Sequence, residues 1–301
     1  MTSPPEIIMP QRPVSDRPLD DAIALAALRE QFPDQGFRQA QALGSGWGTD
    51  TYLVDQRLVA RFPRNAELAA WVDRDEALLR YVASAVGPAF AVPEVKHRGN
   101  PGEYFPHGFL VCALVPGVGA DHLGRTYDEA LIGDLGAALA QIHSAPLEGA
   151  KELGLGQEAW DNYRGPLRFI HGDFSPDNFM VDPESGHLSG VIDWGNAAIG
   201  DPALDFVPLV LWVGWEVTLG VVAAYGLPAG PDFVERIRFH AHVQALQWLT
   251  DTIKRRVDPE VHLSWLKNAF ELRSASSQGM RLCENWRWAR DDREFASGGV
   301  I

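Results

Sequence analysis

Apolar residues recur at helical spacing over Asp20 to Gln31 (DDAIALAALREQ), behind an aspartate able to cap the first turn, so a helix is expected there. The pattern then shortens to that of strands, Thr51 to Val54 and Leu58 to Phe62, joined by a tight Asp55-Gln56 turn. Helical spacing returns in AELAAWVDRDEALLRYVASAV and stops at Gly87-Pro88. EVKHRG and GFLVCALV read as two more strands flanking the loop from Gly99 to Gly108, and Pro116-Gly117 closes this half of the chain. The remainder is mainly helical, from Asp128 to His143 and again after Asp201, with a short strand, loop and strand between them. A chain of 301 residues exceeds the usual single core. The pattern therefore predicts an α+β protein of two lobes: a flexible arm over 1–20, a sheet-plus-helix lobe over 21–115 and a helical lobe over 116–301. The end of the chain, with SASSQG and ASGGVI, is expected to be partly flexible.

Composition changes this picture little: 46% hydrophobic and 22% charged residues are ordinary for a globular protein. Charge changes it more. The formal net charge of −14 argues against nucleic acid or an anionic membrane as partner and favours a cationic small molecule. From Phe169 to Glu235 there is no Lys or Arg, while Asp173, Asp177, Asp182, Glu184, Asp193, Asp201, Asp205, Glu216, Asp232 and Glu235 all fall there. A region of one sign calls for a cation, and a solvated acidic surface is its plain alternative. Cys112 and Cys283 are too few for a disulfide framework, and no signal peptide precedes the first helix, so the expected compartment is the cytoplasm. Between Phe206 and Gly230 the only charge is Glu216, but that residue and Pro208 divide the run into pieces too short to span a bilayer. A buried helix pair is expected instead, in a monomer.

The chemistry concentrates in FIHGDFSPDNFMVDPESGHLSGVIDW, residues 169 to 194. His171-Gly172-Asp173 is followed by Asn178 at the spacing D-x-x-x-x-N, and then by Ile192-Asp193-Trp194 on the next apolar strand. Phosphoryl transfer asks little covalent work of a protein and much positioning and charge neutralisation. One carboxylate must accept the acceptor's hydroxyl proton, a role assigned to Asp173. A second carboxylate and an amide oxygen must hold Mg²⁺, which prefers hard oxygen ligands, and Asp193 and Asn178 suit it. Without a second His or Cys nearby, His171 reads as a shaper of the loop rather than a metal ligand. No nucleophile elbow is present, so a hydrolase is unsupported.

These residues resemble the H-G-D-x-x-x-x-N and I-D-W motifs of the aminoglycoside phosphotransferase family, relatives of the protein kinases. In motif style they are most similar to its aminoglycoside 2''- and macrolide 2'-phosphotransferases. The resemblance covers roughly residues 40 to 250, extends to GDPALDF at 200 to 206, and implies a two-lobed protein-kinase-like fold with ATP or GTP as donor. Asp201 followed by Pro202 also reads as a helix cap, and Asp205 as either an orienting acceptor for the loop or a solvated helix residue. The family implies a phosphate-covering loop at Gly44, Ser45 and Gly46, a basic strand residue at Arg61, a helix glutamate at Glu76 to anchor it, and purine-facing backbone at Ala113 and Val115. Arg61 departs from the usual lysine but keeps the charge and can bind a carboxylate bidentately. Trp212, Trp215, Trp248 and Trp265 read as core, with one or two available to line an acceptor pocket. The resulting expectation is a kinase acting on a hydroxyl of a cationic acceptor such as an aminoglycoside or macrolide. Its rivals are a metabolic kinase for homoserine, choline or a sugar, and a catalytically silent nucleotide binder.

Overall fold

The computed structural model describes residues 13–123, 127–158, 163–228, 232–255 and 258–271. Helix α1 (Asp21–Gln31) begins on Asp20, whose carboxylate accepts the Ile23 N–H at 2.8 Å. Strands β1 (Ala40–Ser45), β2 (Thr49–Val54) and β3 (Leu58–Pro63) follow as a meander. Asp55 and Gln56 both take positive φ, 48° and 58°, as a two-residue hairpin turn requires. After α2 (Ala66–Ala69) and α3 (Val72–Ala85) come β4 (Val95–Gly99) and β5 (Phe109–Ala113), giving an antiparallel sheet of order β1-β2-β3-β5-β4. The single helix expected from residue 66 to 86 is two. Asn65 caps α2 through the Leu68 N–H, no residue of α2 is buried, and the chain restarts at Trp71. With no buried residue on the first piece, packing does not hold both pieces in one rod.

The second lobe contains β6 (Val118–Gly119), α4 (Glu129–His143), α5 (Leu147–Glu152), β7 (Gln157–Glu158), β8 (Arg168–Ile170), β9 (Phe179–Val181), β10 (Leu188–Val191) and β11 (Ala198–Gly200). Four helices complete it: α6 (Val207–Val213), α7 (Trp215–Tyr225), α8 (Phe233–Arg255) and α9 (Glu260–Phe270). Its strands form two small sheets, β10-β9-β6 and β7-β11-β8. The apolar run after Phe206 is a pair of short helices, as expected, but Pro208 opens α6, where a missing N–H is harmless, and the break falls at Gly214, with φ 84°. Among the described residues no helix is long and apolar enough to cross a membrane.

One apolar cluster crosses the expected lobe boundary at 115/116. Leu78, Leu79 and Val82 of α3 share it with Phe169, Phe179 and Trp194, each such burial contributing about 1.5–3 kcal/mol. The lobes are also stitched by backbone, since Ala91 donates to Ser189 O and accepts from Val191 N, both at 2.9 Å. Gly190 lies between Ala91 and Val115 so closely that a Cβ there would come within 2.1 Å of Val115 Cγ1. A second cluster, including Phe37, Tyr52, Phe62 and Phe109, fills the space between α1 and the first sheet.

Within the arm, Pro13 and Asp16 are bonded to the first lobe. Asp16 N donates to Arg64 O at 3.0 Å, Arg64 Nε donates to Pro13 O at 2.7 Å, and the Asp16 carboxylate lies 3.1 Å from His107 Nε2. Proline and charge, read as signs of looseness, here supply a carbonyl and a carboxylate to specific partners. Residues 1–12 and the C-terminal segment 272–301 lie outside the described residues. Trp215 is core, donating Nε1 to Ala269 O at 3.0 Å, while Trp212, Trp248 and Trp265 pack together where α6, α8 and α9 meet.

Candidate active site

The loop between β8 and β9 carries Asp173 and Asn178, and hydrogen bonds fix its path. His171 is buried, donates Nε2–H to Ile192 O at 2.9 Å, and accepts the Asp173 N–H on Nδ1 at 3.3 Å. Its ring packs against Trp194 at 4.6 Å. It is thus the loop shaper expected from sequence. Gly172 has φ 81°, and a Cβ on it would lie 2.2 Å from Asn196 O, so only glycine fits between His171 and Asp173. Ile192 N–H in turn donates to Asn178 O at 2.8 Å. Both backbone groups of Ile192 are therefore bonded to the loop, which brings Asp193, the next residue, beside Asn178.

Asp205 holds the loop from below. Its two carboxylate oxygens accept Gly172 N–H at 2.7 Å and His171 N–H at 2.8 Å, and His143 Nε2 lies 3.0 Å from Oδ2. His143 Nδ1 is 2.7 Å from the Tyr225 hydroxyl, extending the chain of bonds to α7. Burial opposes the charge on Asp205, but the bond and charge of His143, with His171, leave its acidity stronger than usual. Of the two readings open in the sequence, the orienting acceptor is the one formed. Asp201 is the cap expected: it accepts Ala203 N–H at 3.0 Å and pairs with Arg236 Nε at 2.9 Å.

Asp173 is pushed up to about 6 by burial, reinforced by the charges of Asp177 and Asp193 and opposed by His171 and a Ser175 hydrogen bond. Asn178 Nδ2 donates to Asp173 O at 2.9 Å and Oδ2 at 3.1 Å, which fixes the amide and leaves its Oδ1 facing away from the carboxylate. Asp193 is exposed and has φ 57°, a left-handed conformation that aspartate tolerates better than most residues. Asn178 Oδ1 and the Asp193 carboxylate offer two hard oxygens. Among the described residues no cluster of three or more His, Cys, Asp or Glu side chains could hold a metal. That donor set fits Mg²⁺, which takes one or two protein ligands and completes its shell with phosphate and water.

In the first lobe, Gly44 and Ser45 pair with Thr51 and Asp50 across the β1-β2 hairpin, and Gly46 N–H closes its tip by donating to Thr49 O at 2.9 Å. Arg61 lies on β3 between Thr51 and Leu110. Its expected anchor is not Glu76, whose carboxylate is held by Arg80 at 2.7 Å and Arg98 at 3.3 Å. The carboxylate within electrostatic reach of Arg61 is Asp75, one residue earlier. Burial raises its pKa, Arg61 and Arg74 counter that, and Asp193 adds to it, so Asp75 lies within electrostatic reach of both the β3 cation and Asp193. Sequence reasoning missed Asp75, although the signal was there. It sits three residues before Leu78, four before Leu79 and seven before Val82, in line with the buried face, while Glu76 sits four before Arg80, the spacing of a surface ion pair. Burial also raises the Cys112 thiol to about 11, with Arg61 opposing and Glu76 reinforcing, so Glu76 stays near the site without touching Arg61. At the junction of the lobes Ala113 N–H is spent on Glu94 O at 2.8 Å and Leu114 N–H on Arg57 O at 3.0 Å. Val115 N–H has no hydrogen-bond partner among the described residues, as a purine-facing donor would require.

Residues 39–164 and 155–237 match the model of a family described as "Phosphotransferase enzyme family". Viomycin phosphotransferase of Streptomyces vinaceus is 31% identical over 221 residues, covering 71% of this chain and 69% of that protein. Uncharacterized protein YcbJ of Bacillus subtilis (strain 168) is 28% identical over 106 residues, and the match spans only 33% of its length. Among solved structures, the GDP complex of aminoglycoside 2'-phosphotransferase-IIIa superposes with a TM-score of 0.68 at 22% identity, covering 83% of this chain and 98% of that one. Macrolide 2'-phosphotransferase type I gives a TM-score of 0.58 at 16% identity, covering 81% and 96%. These superpositions establish the two-lobed kinase-like fold. The match to the family model runs through both lobes, from the glycine loop past the loop carrying Asp173 and past Asp193 after β10, and on that basis the chain belongs to the phosphotransferase enzyme family.

Proposed function

We propose that the protein transfers the γ-phosphoryl group of ATP or GTP to a hydroxyl of a small, cationic antibiotic-like acceptor such as an aminoglycoside or macrolide. The observation that carries this reading is the catalytic loop itself. A half-buried aspartate is oriented by Asn178 and Ser175, its pKa is pushed up to about 6, and a second carboxylate, Asp193, follows Ile192, whose backbone is bonded to the loop. Asp173 accepts the hydroxyl proton as the acceptor oxygen attacks. Asp193 and Asn178 Oδ1 would hold Mg²⁺, which supplies neutralisation of the triphosphate charge when bound. Arg61 adds a cation within electrostatic reach of Asp75, and the glycine loop adds backbone N–H groups. The names of related proteins, which include a viomycin and an aminoglycoside phosphotransferase, support an antibiotic as acceptor.

The test is nucleotide consumption with ATP and GTP against a panel of aminoglycosides, macrolides, viomycin, homoserine, choline and sugars. Turnover confined to the metabolites would assign the metabolic kinase reading. Binding of nucleotide with no turnover on any acceptor would assign the silent one. Asp173→Ala should lower turnover by about 10²–10⁴-fold with nucleotide binding retained, whereas Asp193→Ala should lose Mg²⁺-dependent nucleotide binding. Equal behaviour of the two variants would overturn this division of roles.

A further inference from the structure

Arg64 joins the described part of the N-terminal arm to the glycine loop through four separate bonds. Its backbone N–H donates to Gly48 O at 3.1 Å, inside the loop, and its backbone carbonyl accepts Asp16 N–H at 3.0 Å, in the arm. Its guanidinium divides in the same way: Nε donates to Pro13 O at 2.7 Å, and Nη1 pairs with Asp50 Oδ1 at 2.8 Å. Asp50 is the residue paired with Ser45 across the hairpin. The two side chains are only 14% and 18% exposed, so solvent screens this pair less than an ordinary surface bridge. The arm is held in turn at its other side, where Asp16 Oδ2 accepts Ala66 N–H at 3.1 Å and the same carboxylate meets His107. Residue 16 of the arm is thus held between the β4-β5 connection and α2, and Arg64 is bonded to both arm and loop.

A loop that must close its N–H groups on a phosphate works better when it is ordered in advance, because less conformational freedom is lost on binding. The glycines at 44, 46 and 48 do not supply that order: a Cβ at any of them would meet ordinary contacts, and none has positive φ. We propose that Arg64, tied to residues 13–16, is a positioning residue for the glycine loop, so that this arm sets the affinity for the donor nucleotide. The inference rests on the proposed nucleotide site.

The experiment uses the full chain as wild type, Arg64→Ala, Arg64→Lys and Asp16→Asn, with MgATP and MgGTP as probes. Donor Kd and KM, acceptor KM, kcat, melting temperature and amide exchange across residues 44–50 are measured. In Arg64→Ala the donor Kd and KM should rise about tenfold, as expected for losing a charged hydrogen bond. Acceptor KM and kcat at saturating donor should stay within about twofold, and exchange at 44–50 should quicken. Arg64→Lys keeps a cation for Asp50 without the Nε bond to Pro13 and should recover part of the affinity. Asp16→Asn should shift donor affinity in the same direction, more weakly. A lowered melting temperature with donor Kd and loop exchange unchanged would overturn the proposal, leaving Arg64 as a stabilising residue only. If the wild type binds neither nucleotide, the kinase reading fails, and loop exchange alone still decides the strap. Should Arg64→Ala not fold, Asp50→Asn removes the ion pair, leaves the backbone bonds, and carries the same comparison.

Discussion

Replacing Asp205 by asparagine tests the catalytic loop's support without touching any group that would meet substrate. The native carboxylate receives three donors on two oxygens: His171 N–H, Gly172 N–H and His143 Nε2–H. An asparagine keeps the shape but offers one accepting oxygen, and its NH₂ must face at least one of those donors. Turned toward Gly172, the amide oxygen leaves the His171 and His143 donors opposed; turned the other way, it leaves Gly172 opposed. The minimum loss is one charged hydrogen bond, worth about 1.5–3 kcal/mol, and one stranded buried donor, costing about 1–3 kcal/mol. A destabilisation of about 2.5–6 kcal/mol follows, a large part of the roughly 5–15 kcal/mol that holds an ordinary domain. Urea unfolding followed by circular dichroism measures it, and turnover per folded molecule, read below the transition, should fall as well because Asp173 loses its fixed backbone. The pH dependence has a definite sign. Asp205 is more acidic in the folded chain, so its contribution is full above the unfolded value of about 4 and is lost as pH falls below it. The urea midpoint of the variant should therefore fall less steeply than that of the wild type as pH drops below about 4. Wild-type stability and turnover in Asp205→Asn would refute the clamp.

Two further outcomes follow from the site. With Asp173 pushed up to about 6, kcat/KM should fall about tenfold per pH unit below that value, since only the ionised form accepts a proton, and a profile flat from pH 5 to 8 would contradict the role. The raised value also means that ionising Asp173 costs stability as pH rises through about 6, so Asp173→Asn should be relatively more stable at pH 8 than at pH 4. Near the phosphates, Arg61→Lys should retain more activity than Arg61→Ala, and Asp75→Asn should raise donor KM more than Glu76→Gln. Steady-state kinetics with donor varied checks both orders, and a larger effect at Glu76 would restore it as the anchor.

Much of the fold was legible because its elements carry local signals. The β2-β3 hairpin, the Asp20 cap, the Asp201 cap and the helix pair after Phe206 all depend on residues within a few positions of one another. The catalytic loop was legible for a different reason: Asp173, Asn178 and Asp193 combine residue type with strand-loop-strand spacing. What escaped was set by partners distant in sequence. Asp16 meets Arg64 and His107, 48 and 91 positions away, and nothing local in a proline-rich arm announces such contacts. The choice between Asp75 and Glu76 turned on which of two neighbouring carboxylates shares the buried face of α3. His143 gave no sign of its role because the donor that completes the Asp205 clamp comes from α4, 62 positions before it.

The acidic stretch from Phe169 to Glu235 shows why charge density alone is a poor guide to a ligand. Several of its carboxylates are answered within the chain. Asp201 is met by Arg236, Glu235 by Arg238, Asp205 by His143 and two amides, and Asp182 by the N–H groups and hydroxyl of its own turn. The cations lie just past the end of the stretch, at 236 and 238, or on another helix, so counting within it overstated the demand. Among those left without such partners, Glu184, Glu216 and Asp232 are exposed and solvated. Asp193 is exposed too, yet it makes no hydrogen bond or ion pair among the described residues and adds its charge to those of Asp173 and Asp75. The raised pKa values of Asp173 and Asp75 come first from burial, with the charge of Asp193 adding to both and Arg61 and Arg74 opposing the rise at Asp75. In the proposed reaction a divalent metal held by Asp193 and Asn178 would offset that added charge, so the proposal puts the demand for a cation in the cleft and not in the acidic lobe as a whole.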